Sequence, residues 1–124
     1  MTSPIIIHND ESSEYFFEEG CYILELSNSD NDPSLSIARA RLEPKTQTKL
    51  HKLNMTIERY IILQGQGEVT LGNSSMNNLV QNIKANDVVI IPENYPQSIK
   101  NTGSQDLIFL VICTPRFDAE NYSE

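Results

Sequence analysis

The chain has 124 residues, 39% of them hydrophobic and 21% charged, with a formal net charge of -8. That length suits one domain, and the composition is too apolar for a disordered chain. The acidic balance opposes any tight grip on phosphate backbones, so no nucleic-acid partner is expected.

The first stretch, MTSPIIIHNDE, holds only three consecutive isoleucines, so neither a secretory signal nor a membrane segment is expected. Residues 1–20 read as an N-terminal arm in which SSEYFFEEG can make one helical turn. Its PIIIH segment suits addition of an edge strand to a partner sheet, and a homodimer is expected on that ground. Short alternating runs follow in order: CYILELS, SLSIARARL, ERYIILQG, GEVTLG, LVQNI, DVVIIP and DLIFLVICT. Turn-forming clusters at 28–33, 43–48, 72–78, 92–96 and 101–106 separate them. A period of two with turns at short, regular spacing signals a sandwich or barrel, and no segment carries a clean helical stripe. The fold class read from this pattern is all-β, with a barrel over residues 21–117 and a tail over 118–124.

Cys21 and Cys113 each sit inside an apolar run, which suits buried reduced thiols and a cytoplasmic location. The sequons at Asn54, Asn73 and Asn121 matter only to a secreted chain. Neither cysteine has a histidine nearby in sequence, and GQG at 65–67 opens no helix, so nucleophilic catalysis and a phosphate cradle are both set aside.

Two stretches carry the functional argument. From Pro44 to Gly67, His51, Glu58 and Gly65 stand at fixed offsets, with Lys45 where a glycine and Leu53 where a second histidine would complete a known pattern. From Asn86 to Asn101, Pro92 and Asn101 keep their places, Asn86 and Asn94 stand for glycines, and Gln97 stands for a histidine. The two stretches resemble the paired motifs of the cupins, and more narrowly a group of small single-domain bacterial cupins with His-x-Leu, Glu-Arg-Tyr and Pro-Gln. That resemblance implies a double-stranded β-helix, or jelly-roll, barrel. Metal-binding cupins of this kind use three histidines and a glutamate to hold iron, manganese, nickel, copper or zinc. Here the resemblance implies a reduced metal set of His51, Glu58 and Gln97, holding a divalent ion weakly.

Strand alternation gives an independent view of the same residues. Glu58, Tyr60 and Ile62 share the inward face, Arg59, Ile61 and Leu63 point out, and His51 shares a face with Leu53. Asn54 falls on the opposite face. The candidate catalytic residues are therefore His51, Glu58 and Tyr60, beside a small-molecule ligand.

Three readings follow. One is a divalent-metal-dependent enzyme acting on a small polar molecule such as a sugar, a keto acid or a polyketide fragment. Another is a metal-free isomerase or cyclase with a His51–Glu58 acid–base pair. The third is a binding or sensing module, since an inward His, Glu and Gln can also satisfy one another. Arg39 and Arg41 share one face and suit surface salt bridges or an acidic ligand. His8 suits a surface role, Tyr95 a contact at the pocket mouth, and Arg116 and Phe117 a pin for the tail.

Overall fold

The computed structural model describes residues 3–75 and 78–124. Met76 and Asn77, within the loop expected at 72–78, lie outside the described residues. A 3₁₀ turn at Glu11–Ser13, capped by the Asp10 carboxylate accepting from Ser12 N–H at 2.9 Å, leads into β1 (Tyr15–Phe17). The strands β2 (Cys21–Ser27), β3 (Ser36–Leu42), β4 (Lys52–Leu53), β5 (Ile57–Gln64), β6 (Gln66–Leu71), β7 (Leu79–Lys84), β8 (Val88–Ile91), β9 (Gln97–Asn101) and β10 (Leu107–Thr114) follow. A second 3₁₀ turn at Ala119–Asn121 precedes β11 (Tyr122–Ser123). Two of these strands, β1 and β11, come from the segments read as arm and tail.

Six strands form one antiparallel sheet in the order β1-β2-β3-β10-β5-β8, three form a second in the order β7-β6-β9, and β11 pairs with β4. Isolated bridges Gln47↔Lys100 and His51↔Gln97 join β9 to the segment that enters β4. Two antiparallel sheets with such crossovers make the jelly-roll barrel. The chain is all-β, as the alternating runs require.

The core lies between the sheets because the side chains alternate. On β5, Glu58, Tyr60 and Ile62 are buried while their neighbours are not. β10 contributes Leu107, Phe109 and Cys113 to the interior. Leu42 of β3 faces Leu107, but along the rest of the strand the inward side chains are small: Ser36 faces Cys113, Ala38 faces Val111, and Ala40 faces Phe109. This row of small residues leaves space inside the barrel.

The loops explain the offsets between the two motif stretches. Lys45, Asn86 and Asn94 have φ of 62°, 80° and 61°, and Gly65 has φ of 88°. These are the four positions where the cupin pattern has glycine, so the backbone keeps the left-handed conformation, which asparagine adopts more readily than most side chains and lysine does not. Asn101, fully buried, donates its amide to the carbonyls of Leu42 (2.9 Å) and Gln105 (2.8 Å) and accepts from Gly103 N–H (2.9 Å). It clamps the 101–106 turn to the end of β3.

Arg39 and Arg41 lie on the outer face of the large sheet. Arg39 pairs with Glu11 (2.9 Å) and Glu14 (3.3 Å), and Arg41 with Glu14 (2.7 Å) and Asp106 (3.3 Å) while lying over the Tyr22 ring. These contacts fasten residues 11–14 to β3. Ile5, Ile6 and Ile7 are exposed, and no strand is assigned across them. Among the described residues, no helix is long and apolar enough to cross a membrane.

Candidate functional site

His51 is placed by backbone pairing. It exchanges both main-chain hydrogen bonds with Gln97, at 3.0 and 2.8 Å, so the two side chains leave an antiparallel pair on the same face. Glu58 and Tyr60 reach the same interior from β5. Glu58 is 7% exposed, His51 3%, Tyr60 2% and Gln97 1%. The Tyr60 hydroxyl donates to Gln97 Oε1, and Gln97 Nε2 donates to Glu58 Oε1. The structure thus brings together His51, Glu58, Tyr60 and Gln97.

The imidazole's ionic partner is a residue that strand alternation did not single out. Glu19, in the turn between β1 and β2, meets His51 Nε2 at 2.8 Å and also accepts from the Cys21 thiol at 3.4 Å. Its own carbonyl accepts from Lys49 N–H at 2.7 Å, which holds the turn against the strand carrying His51. The other ring nitrogen, Nδ1, lies 2.6 Å from the Lys49 carbonyl. Both nitrogens therefore face oxygen acceptors, an arrangement that a doubly protonated ring satisfies in full. Burial works against that charge, but the Glu19 contact, the Lys49 carbonyl and Glu58 together outweigh it and raise the His51 pKa.

Glu58 has the opposite balance. Burial first and the charge of Glu19 second push its pKa up to about 7, against smaller opposing effects from His51 and Gln97. It is a carboxyl poised to gain or lose a proton near neutrality. Burial above all, helped by Glu58, also lifts Tyr60 well above its ordinary value, which keeps its hydroxyl a donor to Gln97.

This arrangement tests the expected metal set. Gln97 presents its amide oxygen to Tyr60, and the His51 Nε2 that would bind an ion faces Glu19 instead. Among the described residues, no three His, Cys, Asp or Glu side chains converge at ligand spacing. As arranged, these side chains do not fit a metal ion.

Beside the network lies a cavity of about 50 Å³, room for a few water-sized groups. Ala38 and Ala40 form part of its wall, and both buried cysteines, Cys21 and Cys113, face it. An aromatic cluster from distant parts of the chain lies along the same cavity. Phe17 meets Tyr122 edge-on at 5.2 Å and Phe117 at 6.3 Å, and Tyr122 stacks on His51 at 5.4 Å. Asn28 donates to the Phe117 carbonyl at 3.1 Å, leaving its buried Oδ1 without a partner at the cavity wall. Of the remaining sequence candidates, Asn54 and His8 are exposed. Tyr95 packs against the core cluster, and Arg116 pairs with Asp30 at 3.1 Å.

The cupin family model matches residues 22–122. The chain is a cupin. An uncharacterized protein of Methanocaldococcus jannaschii is 31% identical over 114 residues, covering 90% of this chain and 87% of that protein. An oxalate-binding protein of Thermotoga maritima is 36% identical over 75 residues, which span 60% of this cupin and 58% of that protein. Among solved structures, one described as a predicted oxalate decarboxylase from Thermotoga maritima superposes with a TM-score of 0.75 at 25% identity, covering 90% of this chain and 99% of that one. Bacillus subtilis oxalate decarboxylase gives a TM-score of 0.79 at 18% identity over 98% of this chain, which spans 33% of that one. At that identity the likeness is one of fold.

Proposed function

We propose that this cupin binds a small organic molecule in the cavity beside Glu58, and that Glu58 exchanges a proton with it. The observation that carries this reading is the combination of a buried carboxyl titrating near neutrality with a largely apolar cavity next to it. Such a pocket with a few convergent polar groups and a perturbed carboxyl has the attributes of a ligand site. His51 serves as counter-ion to Glu19, fixing the pocket's polar end, and the Tyr60–Gln97 chain orients Glu58.

A metal-dependent enzyme using His51, Glu58 and Gln97 would have to break the His51–Glu19 contact and turn the Gln97 amide. The named relatives motivate oxalate as a trial ligand. The experiment is elemental analysis of purified protein together with thermal shift against iron(II), manganese, nickel, copper, zinc and a panel of small organic molecules. Metal-free protein stabilised by an organic molecule, with the shift lost in Glu58→Gln, is the expected result. Near-stoichiometric metal that Glu58→Gln strips would overturn the metal-free reading.

A further inference from the structure

The residues lining the cavity divide sharply by charge. Three carboxylates, Glu19, Glu25 and Glu58, border it, and neither lysine nor arginine does. The one imidazole, His51, is committed to Glu19 at 2.8 Å. Glu25 is exposed and so stands at the rim, whereas Glu58 is buried. A dianion such as oxalate would enter this space against two carboxyl groups that have no cationic partner, and the one lining cation, His51, is already paired with Glu19, which costs Coulomb energy in a partly desolvated site.

The aromatic wall has the complementary chemistry. Phe17 packs edge-on against both Phe117 and Tyr122, and with Tyr15 the three line the same cavity. A ring face carries negative quadrupole charge and attracts a cation within about 6 Å, and groups of such rings are how proteins hold ammonium ligands. Tyr122 already stacks on His51 with the planes 25° apart. Carboxyl groups and aromatic rings in the lining, with no lysine or arginine among them, favour a ligand that brings positive charge.

We infer that the cavity selects a small organic cation, an ammonium group of about five non-hydrogen atoms, over a neutral or anionic molecule of equal size. This rests on the cavity being a ligand site, as proposed above. The ammonium seats against Phe17, Phe117 and Tyr122 with Glu58 and the rim Glu25 neutralising it.

The test compares three probes of similar size by ¹H–¹⁵N NMR titration at constant ionic strength and at pH 8, where Glu58 is ionised: tetramethylammonium, tert-butyl alcohol and oxalate. The inference expects tetramethylammonium to bind at least tenfold more tightly than tert-butyl alcohol, with oxalate weakest. Phe117→Leu keeps apolar bulk but removes a ring face, and should weaken tetramethylammonium roughly three- to thirty-fold while leaving the alcohol within about twofold. Glu25→Gln should weaken the cation alone, by about two- to five-fold. Equal or tighter binding of the alcohol or of oxalate at the same resonances overturns the charge preference and leaves the cavity reading standing. No response of cavity resonances to any of the probes overturns both.

Discussion

Across their isolated bridge, His51 and Gln97 hold each other's backbone at 3.0 and 2.8 Å, yet their side chains serve different partners. The imidazole goes to Glu19, and the amide joins Tyr60 to Glu58. Gln97→Leu keeps the bridge but deprives a buried hydroxyl and a buried carboxyl of their partner at once. The expected cost is about 2–4 kcal/mol. It should be larger at pH 8 than at pH 5, because the ionised carboxylate needs its donor more. Urea unfolding at the two pH values measures it, and an equal loss at both would show that Glu58 does not ionise in the folded protein.

Stability should fall as pH rises through the neutral range. Glu58 titrates at about 7 in the folded chain against an ordinary 4.5, so between those values the folded state keeps a proton that the unfolded chain has released. The contribution is present below 4.5 and is lost as pH climbs to 7, a change on the order of 3 kcal/mol. His51, whose pKa is also raised, adds stability below about 6.5 that disappears as pH passes its folded value. Glu58→Gln should flatten the segment from 4.5 to 7 and leave the His51 part. Melting temperatures of the two proteins from pH 4 to 9 would show whether the curves separate in that sense.

Ala38→Leu tests the cavity directly. A leucine on β3 at this inward position fills space that the small side chain leaves open. The melting temperature should hold or rise, since burying added methylenes in a void gains about 0.8 kcal/mol each where no clash results. Binding of any cavity ligand should disappear. A variant that is as stable as the parent and still binds would place the ligand elsewhere.

Lys45 holds a side chain at φ 62°, where a Cβ costs on the order of 1 kcal/mol. Lys45→Gly should therefore stabilise by about 0.5–1 kcal/mol despite the greater freedom of glycine in the unfolded chain. Lys45→Ala retains the Cβ and should gain nothing. Chemical denaturation of the pair separates a backbone effect from loss of the lysine's charge.

Much of the barrel was readable because its strands alternate. β2 matches CYILELS residue for residue, and β5 shows Glu58, Tyr60 and Ile62 inward as the period of two requires. β9 escaped strand reading because Gln97, Ser98, Lys100 and Asn101 are polar, although Gln97, Ser98 and Asn101 are buried through hydrogen bonds. Among the residues gathered at the candidate site, His51, Glu58 and Gln97 are singled out in the sequence by the resemblance to the cupin motifs, and Tyr60 by strand parity with Glu58. Glu19, Phe17 and Tyr122 are not, because each reaches the cavity from a segment far from its partners in sequence. A glutamate before a glycine turn or an aromatic near the end of a chain carries no local signal of such a role. The His51–Glu58 acid–base pair is one of three readings of the sequence, and the His51–Glu19 contact is in none of them for the same reason.

Cys21 and Cys113 face the cavity, each 2% exposed, and burial raises both thiol pKa values. In the closed molecule they are poor nucleophiles out of reach of reagents in solvent. Any reaction with a thiol reagent must then wait for the barrel to breathe. The rate of labelling is a built-in clock for that opening, and a ligand that fills the cavity should slow it.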